Sequence, residues 1–82
     1  VPKEDPEAND KKAVALFQQA ANQGYAKAQA NLGWMYVKGR GVSKEDQEAN
    51  DKKAVGLFVK AANQGYATAQ FNLGFMYQEG RG

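Results

Sequence analysis

Displaced by 41 positions, the chain falls on itself, and this property limits what it can fold into. Lys3-Glu4-Asp5 lands on Lys44-Glu45-Asp46, Asn22-Gln23-Gly24-Tyr25 on Asn63-Gln64-Gly65-Tyr66, and Gly39-Arg40-Gly41 on Gly80-Arg81-Gly82. Two units, 1–41 and 42–82, account for all 82 residues and form one small repeat domain. A repeat of this length belongs to stacked-repeat architectures, in which each unit buries its apolar face against its neighbours. It points to an extended recognition surface more than to an enzyme pocket.

Each unit carries two helical patterns. In the first, Ala13, Val14, Leu16, Phe17, Ala20 and Ala21 fall at i, i+3, i+4, i+7 spacing, the stripe of an amphipathic helix. Its start has two readings: Asp5-Pro6 as N-cap and first-turn proline, or a cap at Asn9 or Asp10, nearer the stripe. Gly24 ends it. The second pattern runs from about Ala26 to Lys38, with Ala28, Leu32, Met35 and Tyr36 on one face, and stops at Gly39 and Gly41. The pair recurs at about 50–63 and 67–79. The tight turn Asn22-Gln23-Gly24-Tyr25 forces antiparallel neighbours, and a longer polar loop runs from Gly39 to about Asn50. The expectation is an all-α stack of four antiparallel helices. Its core would hold Val14, Leu16, Phe17, Ala20, Ala21, Ala28, Leu32, Tyr36 and their counterparts one period on. Gly33 and Gly74 stand mid-helix, where glycine costs about 1 kcal/mol relative to alanine, so a neighbouring helix should approach closely there. Met35 and Met76 read as gap-filling core residues.

Composition removes whole function classes. The chain has no cysteine and no histidine, and therefore no disulfide, thiolate or imidazole to bind metal or move a proton. A net charge of +2 with mixed signs does not suggest a nucleic-acid binder. No apolar run approaches the about 20 residues of a membrane span. Asp5, Glu7, Asn9 and Asp10 faintly suggest a calcium loop, but the turn glycine is missing and Leu16 stands where the closing Glu belongs; helix capping explains these acids better. Gly39-Arg40-Gly41 is too short to cradle a phosphate and follows no strand. Lys11-Lys12 and Lys52-Lys53 read as a solvated face that pairs with nearby acids. Ser43 and Thr68 have no base partner, so nucleophilic catalysis is excluded and no catalytic residue or cofactor is expected. The chain opens at Val1 without an initiator Met, as in a processed product or a shortened piece, and no compartment is read from it.

The string Ala26-Lys27-Ala28-Gln29-Ala30-Asn31-Leu32-Gly33-Trp34-Met35-Tyr36, followed by Gly39-Arg40-Gly41-Val42, Asp51-Lys52-Lys53-Ala54-Val55 and Ala61-Ala62-Asn63-Gln64-Gly65, resembles a Sel-one-like repeat, a branch of the tetratricopeptide superfamily. The resemblance covers essentially the whole chain. It implies a TPR-like right-handed superhelix, an α/α solenoid, in which one whole unit at about 25–65 is flanked by two half units. One branch of that family pins its helices with cysteine pairs; this chain has none, so the activities proposed for that branch do not carry over.

The ten pairs that differ between the units bear most on function: Pro2/Ser43, Pro6/Gln47, Ala15/Gly56, Gln18/Val59, Gln19/Lys60, Lys27/Thr68, Ala30/Phe71, Trp34/Phe75, Val37/Gln78 and Lys38/Glu79. The last five pairs fall within an arc of about 100° on the second helix of each unit. Exposed drift, packing against a neighbouring helix and a partner-binding groove all account for such a stripe. Trp34, Phe71 and Phe75 argue against drift, because an aromatic row is seldom left exposed without a use. The resemblance favours the groove, since the matching helix lines the concave face of tetratricopeptide-like folds. It also matches Asn31 and Asn72 to a position that in some of those grooves binds peptide backbone or a carboxylate; a helix–helix hydrogen bond is the other reading. The expectation is non-catalytic binding of a protein or peptide through Lys27, Ala30, Asn31, Trp34, Val37, Lys38, Thr68, Phe71, Asn72, Phe75, Gln78 and Glu79. The alternative is head-to-tail self-association, as a self-assembling or engineered module or a fragment of a longer array: Gly80-Arg81-Gly82 followed by Val1-Pro2-Lys3-Glu4-Asp5 recreates the internal junction from Gly39 to Asp46 almost letter for letter, and neither end shows a polar capping helix.

Overall fold

The computed structural model describes residues 5–82, which form four helices: α1 (Pro6–Asn22), α2 (Ala26–Lys38), α3 (Gln47–Asn63) and α4 (Ala67–Gln78). The Pro2/Ser43 difference and the opening Val1-Pro2-Lys3-Glu4 lie outside the described residues. The cap at Asp5 prevails over the later candidates. Its carboxylate accepts from the Ala8 N–H at 3.1 Å, with Pro6 inside the first turn, and Asp46 repeats the contact to Ala49 at 3.0 Å. Each cap satisfies an N–H that the helix leaves without a partner. The first helix of each unit is therefore a full turn longer at its start than the apolar stripe indicates, and the loop before α3 is correspondingly shorter. Gly39 closes α2 in the left-handed backbone region.

The helices pack in chain order: α1 on α2, α2 on α3 and α3 on α4, with a lighter contact between α2 and α4. Among the described residues, the backbone of α1 does not come close to that of α3 or α4, and α3 reaches the α1–α2 cluster only through the Leu57 side chain. Neighbour-only packing is what a repeat stack requires. Three apolar clusters join the helices. Ala21, Ala28 and Leu32 tie α1 to α2, with Val14, Phe17, Ala20, Tyr36 and Leu57 against them. Val37, Ala54, Phe58 and Met76 tie α2, α3 and α4. Ala30, Ala61 and Ala69 join the same three helices nearer the turns.

Two residues expected in the core lie outside it. Leu16 is 64% exposed and Tyr77 is 66% exposed. Their counterparts Leu57 and Tyr36 both pack against the α1–α2 cluster. The cause is position in the stack: the sector of α1 carrying Leu16 and the sector of α4 carrying Tyr77 each look away from the other helices. The glycines divide the same way. A Cβ on Gly33 would stand 2.7 Å from the Phe58 ring, so the expected close approach is present there. At Gly74 nothing lies within 4 Å, and the expected neighbour is missing among the described residues.

Candidate functional site

Successive helical residues are about 100° apart, which sorts the expected groove residues into two sectors. On α2, Lys27, Asn31, Trp34 and Lys38 span about 60°, and Lys27, Trp34 and Lys38 are the only exposed residues of that helix. Everything else on α2 is buried or half-buried, which leaves this stripe as the one face it offers to a partner. α4 repeats α2 one period on and touches it lightly, and Thr68, Asn72, Phe75 and Glu79 are the counterparts of the α2 stripe. Trp34 is 38% exposed, and the Lys38 ammonium stands 5.1 Å from its ring centroid. Such a contact steadies an exposed indole by about 0.5–1 kcal/mol. Phe75 is half-buried, its ring resting on the Val37–Phe58–Met76 cluster.

Four of the expected residues lie off this stripe. Ala30 and Val37 are buried in the clusters that join α2 to α3 and α4, so no partner can reach them. Their counterparts Phe71 and Gln78 occupy the same sector of α4, which faces away from the rest of the stack, and Phe71 is 77% exposed. An arc of about 100° therefore holds an exposed stripe and a second sector that is covered on α2 and exposed on α4. Ala30 and Val37 pack between the helices of the two units.

Asn31 and Asn72 are half-buried at the base of the stripe. Side-chain hydrogen bonds between helices run elsewhere. Gln29 donates to the Ala21 carbonyl and accepts from Gln64, and Gln47 donates to the Val37 carbonyl. Among the described residues no such bond involves Asn31 or Asn72.

Two ion pairs escaped the sequence reading. Arg40 donates from Nε and Nη2 to the two carboxylate oxygens of Asp10 at 3.1 and 2.9 Å, and Arg81 repeats this on Asp51 at 3.0 and 2.9 Å. Each arginine folds the end of one helix pair back onto the preceding long helix, so Gly39-Arg40-Gly41 is an anchor as well as a helix stop. The signal was present: an Asp and an Arg recur together at the same separation in both units. Burial pushes the Asp51 carboxyl up, but hydrogen bonds from Arg81 and Gln47 and the guanidinium charge outweigh it and hold the group below its ordinary range. The acids that resembled a calcium loop have other partners: Asp5 caps α1, Glu7 lies 3.8 Å from Lys11, and Asp10 holds Arg40. Among the described residues no group of three or more carboxylates could hold a metal ion, and no helix is long and apolar enough to cross a membrane.

The profile of the Sel1 repeat matches residues 4–25, 26–66 and 67–82, which is nearly the whole chain. The chain belongs to the Sel1 repeat family. No curated protein and no solved structure matches it. The family boundaries make α2 and α3 one whole Sel1 unit, with α1 the second half of the unit before it and α4 the first half of the unit after it. Sel1 repeats generally mediate protein–protein interactions as non-catalytic scaffolds.

Proposed function

We propose that this Sel1 chain binds an extended peptide segment of a partner protein across the stripe that α2 and α4 share. The observation that carries this reading is Trp34, a large apolar ring held half-exposed at the centre of the one open stripe on an otherwise covered helix. An indole in that position is the type of residue that anchors protein interfaces. The chemistry around it describes the peptide. Trp34 and Phe75 suit an apolar side chain, Asn31 and Asn72 offer amide groups to peptide backbone, and Lys27 and Lys38 flank the α2 side with positive charge. Thr68 and Glu79 close the α4 side. The fitting ligand pairs an apolar residue with an acidic one and lies extended from one helix to the other.

Selection from a random peptide display library tests this, with Trp34 fluorescence as the titration signal, since it is the chain's sole tryptophan. Selected sequences should carry an acidic residue close to an aliphatic or aromatic one. Trp34→Ala should weaken them at least tenfold, measured by calorimetry, with unchanged circular dichroism. Peptides that bind Trp34→Ala as well as the parent chain, or a selection that enriches nothing, would sink the proposal.

A further inference from the structure

We infer that the outward sector of α4 is a docking site for α1 of a second copy of this chain, so that copies associate head to tail. The internal α2–α3 contact is the template. Among the described residues it is the most extensive helix–helix interface, and α4 and α1 repeat its two sides one period on and one period back. On α2 the contact seats the Phe58 ring over Gly33. Gly74 is the same seat with nothing within 4 Å, and Phe17 is the same ring. Gln64 donates to Gln29 across the internal contact at 2.9 Å; Gln23 of one copy and Gln70 of the other stand in the equivalent places. The Lys53 ammonium lies 5.5 Å from the Tyr36 ring, and Lys12 and exposed Tyr77 are their counterparts. Leu57 packs against Ala21, Ala28 and Leu32; docking would give exposed Leu16 the equivalent Ala62, Ala69 and Leu73. Both exposed residues that were expected in the core, Leu16 and Tyr77, are thus covered by one event.

The junction between copies is weaker than its template. Phe71 replaces Ala30 and Gln78 replaces Val37, so a bulky ring and a polar amide stand where the internal contact has small and apolar groups. Pro6 replaces Gln47, which removes the bond to the Val37 carbonyl. The two faces are different surfaces, so the contact is heterologous and adds copies in line without closing at two.

Sedimentation equilibrium from low micromolar to millimolar chain tests the inference. The parent chain should rise in weight-average mass with concentration, past twice the monomer. Gly74→Leu blocks the α4 seat at a position with free space around it, and Leu16→Glu places a charge on the exposed α1 side. Each variant alone should stay at monomer mass with the helical circular dichroism of the parent. A mixture of the two should form a complex of two chains, because each retains the face the other has lost. A parent chain that stays monomeric throughout overturns the inference. So does a mixture that stays monomeric, and so does self-association of Leu16→Glu alone, which would mean that α4 pairs with α4.

Discussion

Gly33 and Gly74 occupy the same place in two copies of one sequence, and alanine should act on them with opposite signs. In both helices glycine-to-alanine removes a backbone-entropy cost of about 1 kcal/mol. At Gly33 the new Cβ would stand 2.7 Å from Phe58 Cε1 and 3.0 Å from Cδ1, inside contact distance. The ring cannot retreat, because Phe58 is 0% exposed and packed among Val37, Ala54 and Met76. Overpacking of this kind costs about 1–3 kcal/mol. The net for Gly33→Ala is therefore a loss of about 0–2 kcal/mol, and for Gly74→Ala a gain of about 1 kcal/mol. Helix propensity cancels in the difference between the two variants, which leaves the Phe58 contact alone. That difference should be about 1–3 kcal/mol, or at least about 4 °C in Tm for a domain of this size. Urea denaturation at low micromolar chain, where copies are apart, measures it. Equal shifts of the same sign would refute the reasoning, since Gly33 and Gly74 would then have the same surroundings.

Core membership is tested by a contrasting pair: Phe58→Ala should cost about 3–5 kcal/mol, whereas Leu16→Ala in the monomer should stay within about 0.5 kcal/mol, both read from chemical denaturation. The Asp51–Arg81 pair makes a pH prediction. The folded Asp51 carboxyl titrates below its unfolded value of about 4, so its stabilisation is complete above that pH and is lost as pH falls through the folded value. Asp51→Asn should lose about 1–3 kcal/mol at neutral pH and show a shallower fall in Tm on acidification below pH of about 4; an unchanged acid limb would assign the fall to other carboxylates.

Helix order, the antiparallel turns and most of the core were legible because they depend on local period and on residues repeated in both units. Leu16 and Tyr77 were not. Their stripe positions are indistinguishable from those of Leu57 and Tyr36, and only the number of neighbours in the stack decides whether the sector is covered. The differing positions were legible as an arc but not as a surface. Among the described residues Ala30 and Val37 are covered by neighbouring helices and Phe71 and Gln78 are not, whereas Trp34 and Phe75 differ within an open face. Sequence difference alone cannot separate those causes; burial does so at once. The Arg40–Asp10 and Arg81–Asp51 pairs were hidden differently, because a contact across a helix pair has no local periodicity and shows only as a recurrence of opposite charges.

The peptide stripe and the end face share no residue, which makes the two proposals independently breakable and yet physically linked. Trp34, Asn31 and Lys38 can be changed without touching Gly74, Tyr77 or Leu16. Docking α1 of one copy on α4 of another would complete a second whole Sel1 unit, and a second stripe would follow the first in the same array. A peptide long enough to span both stripes would bind the second at the effective concentration set by the first, so its affinity would rise with chain concentration without any new contact. A peptide that fits one stripe would show no such rise. Long and short versions of one ligand, titrated against Gly74→Leu and the parent chain, therefore separate a scaffold that acts one copy at a time from one that acts as an array. In the first case the variant and the parent bind both peptides equally. In the second, only the long peptide loses affinity in the variant.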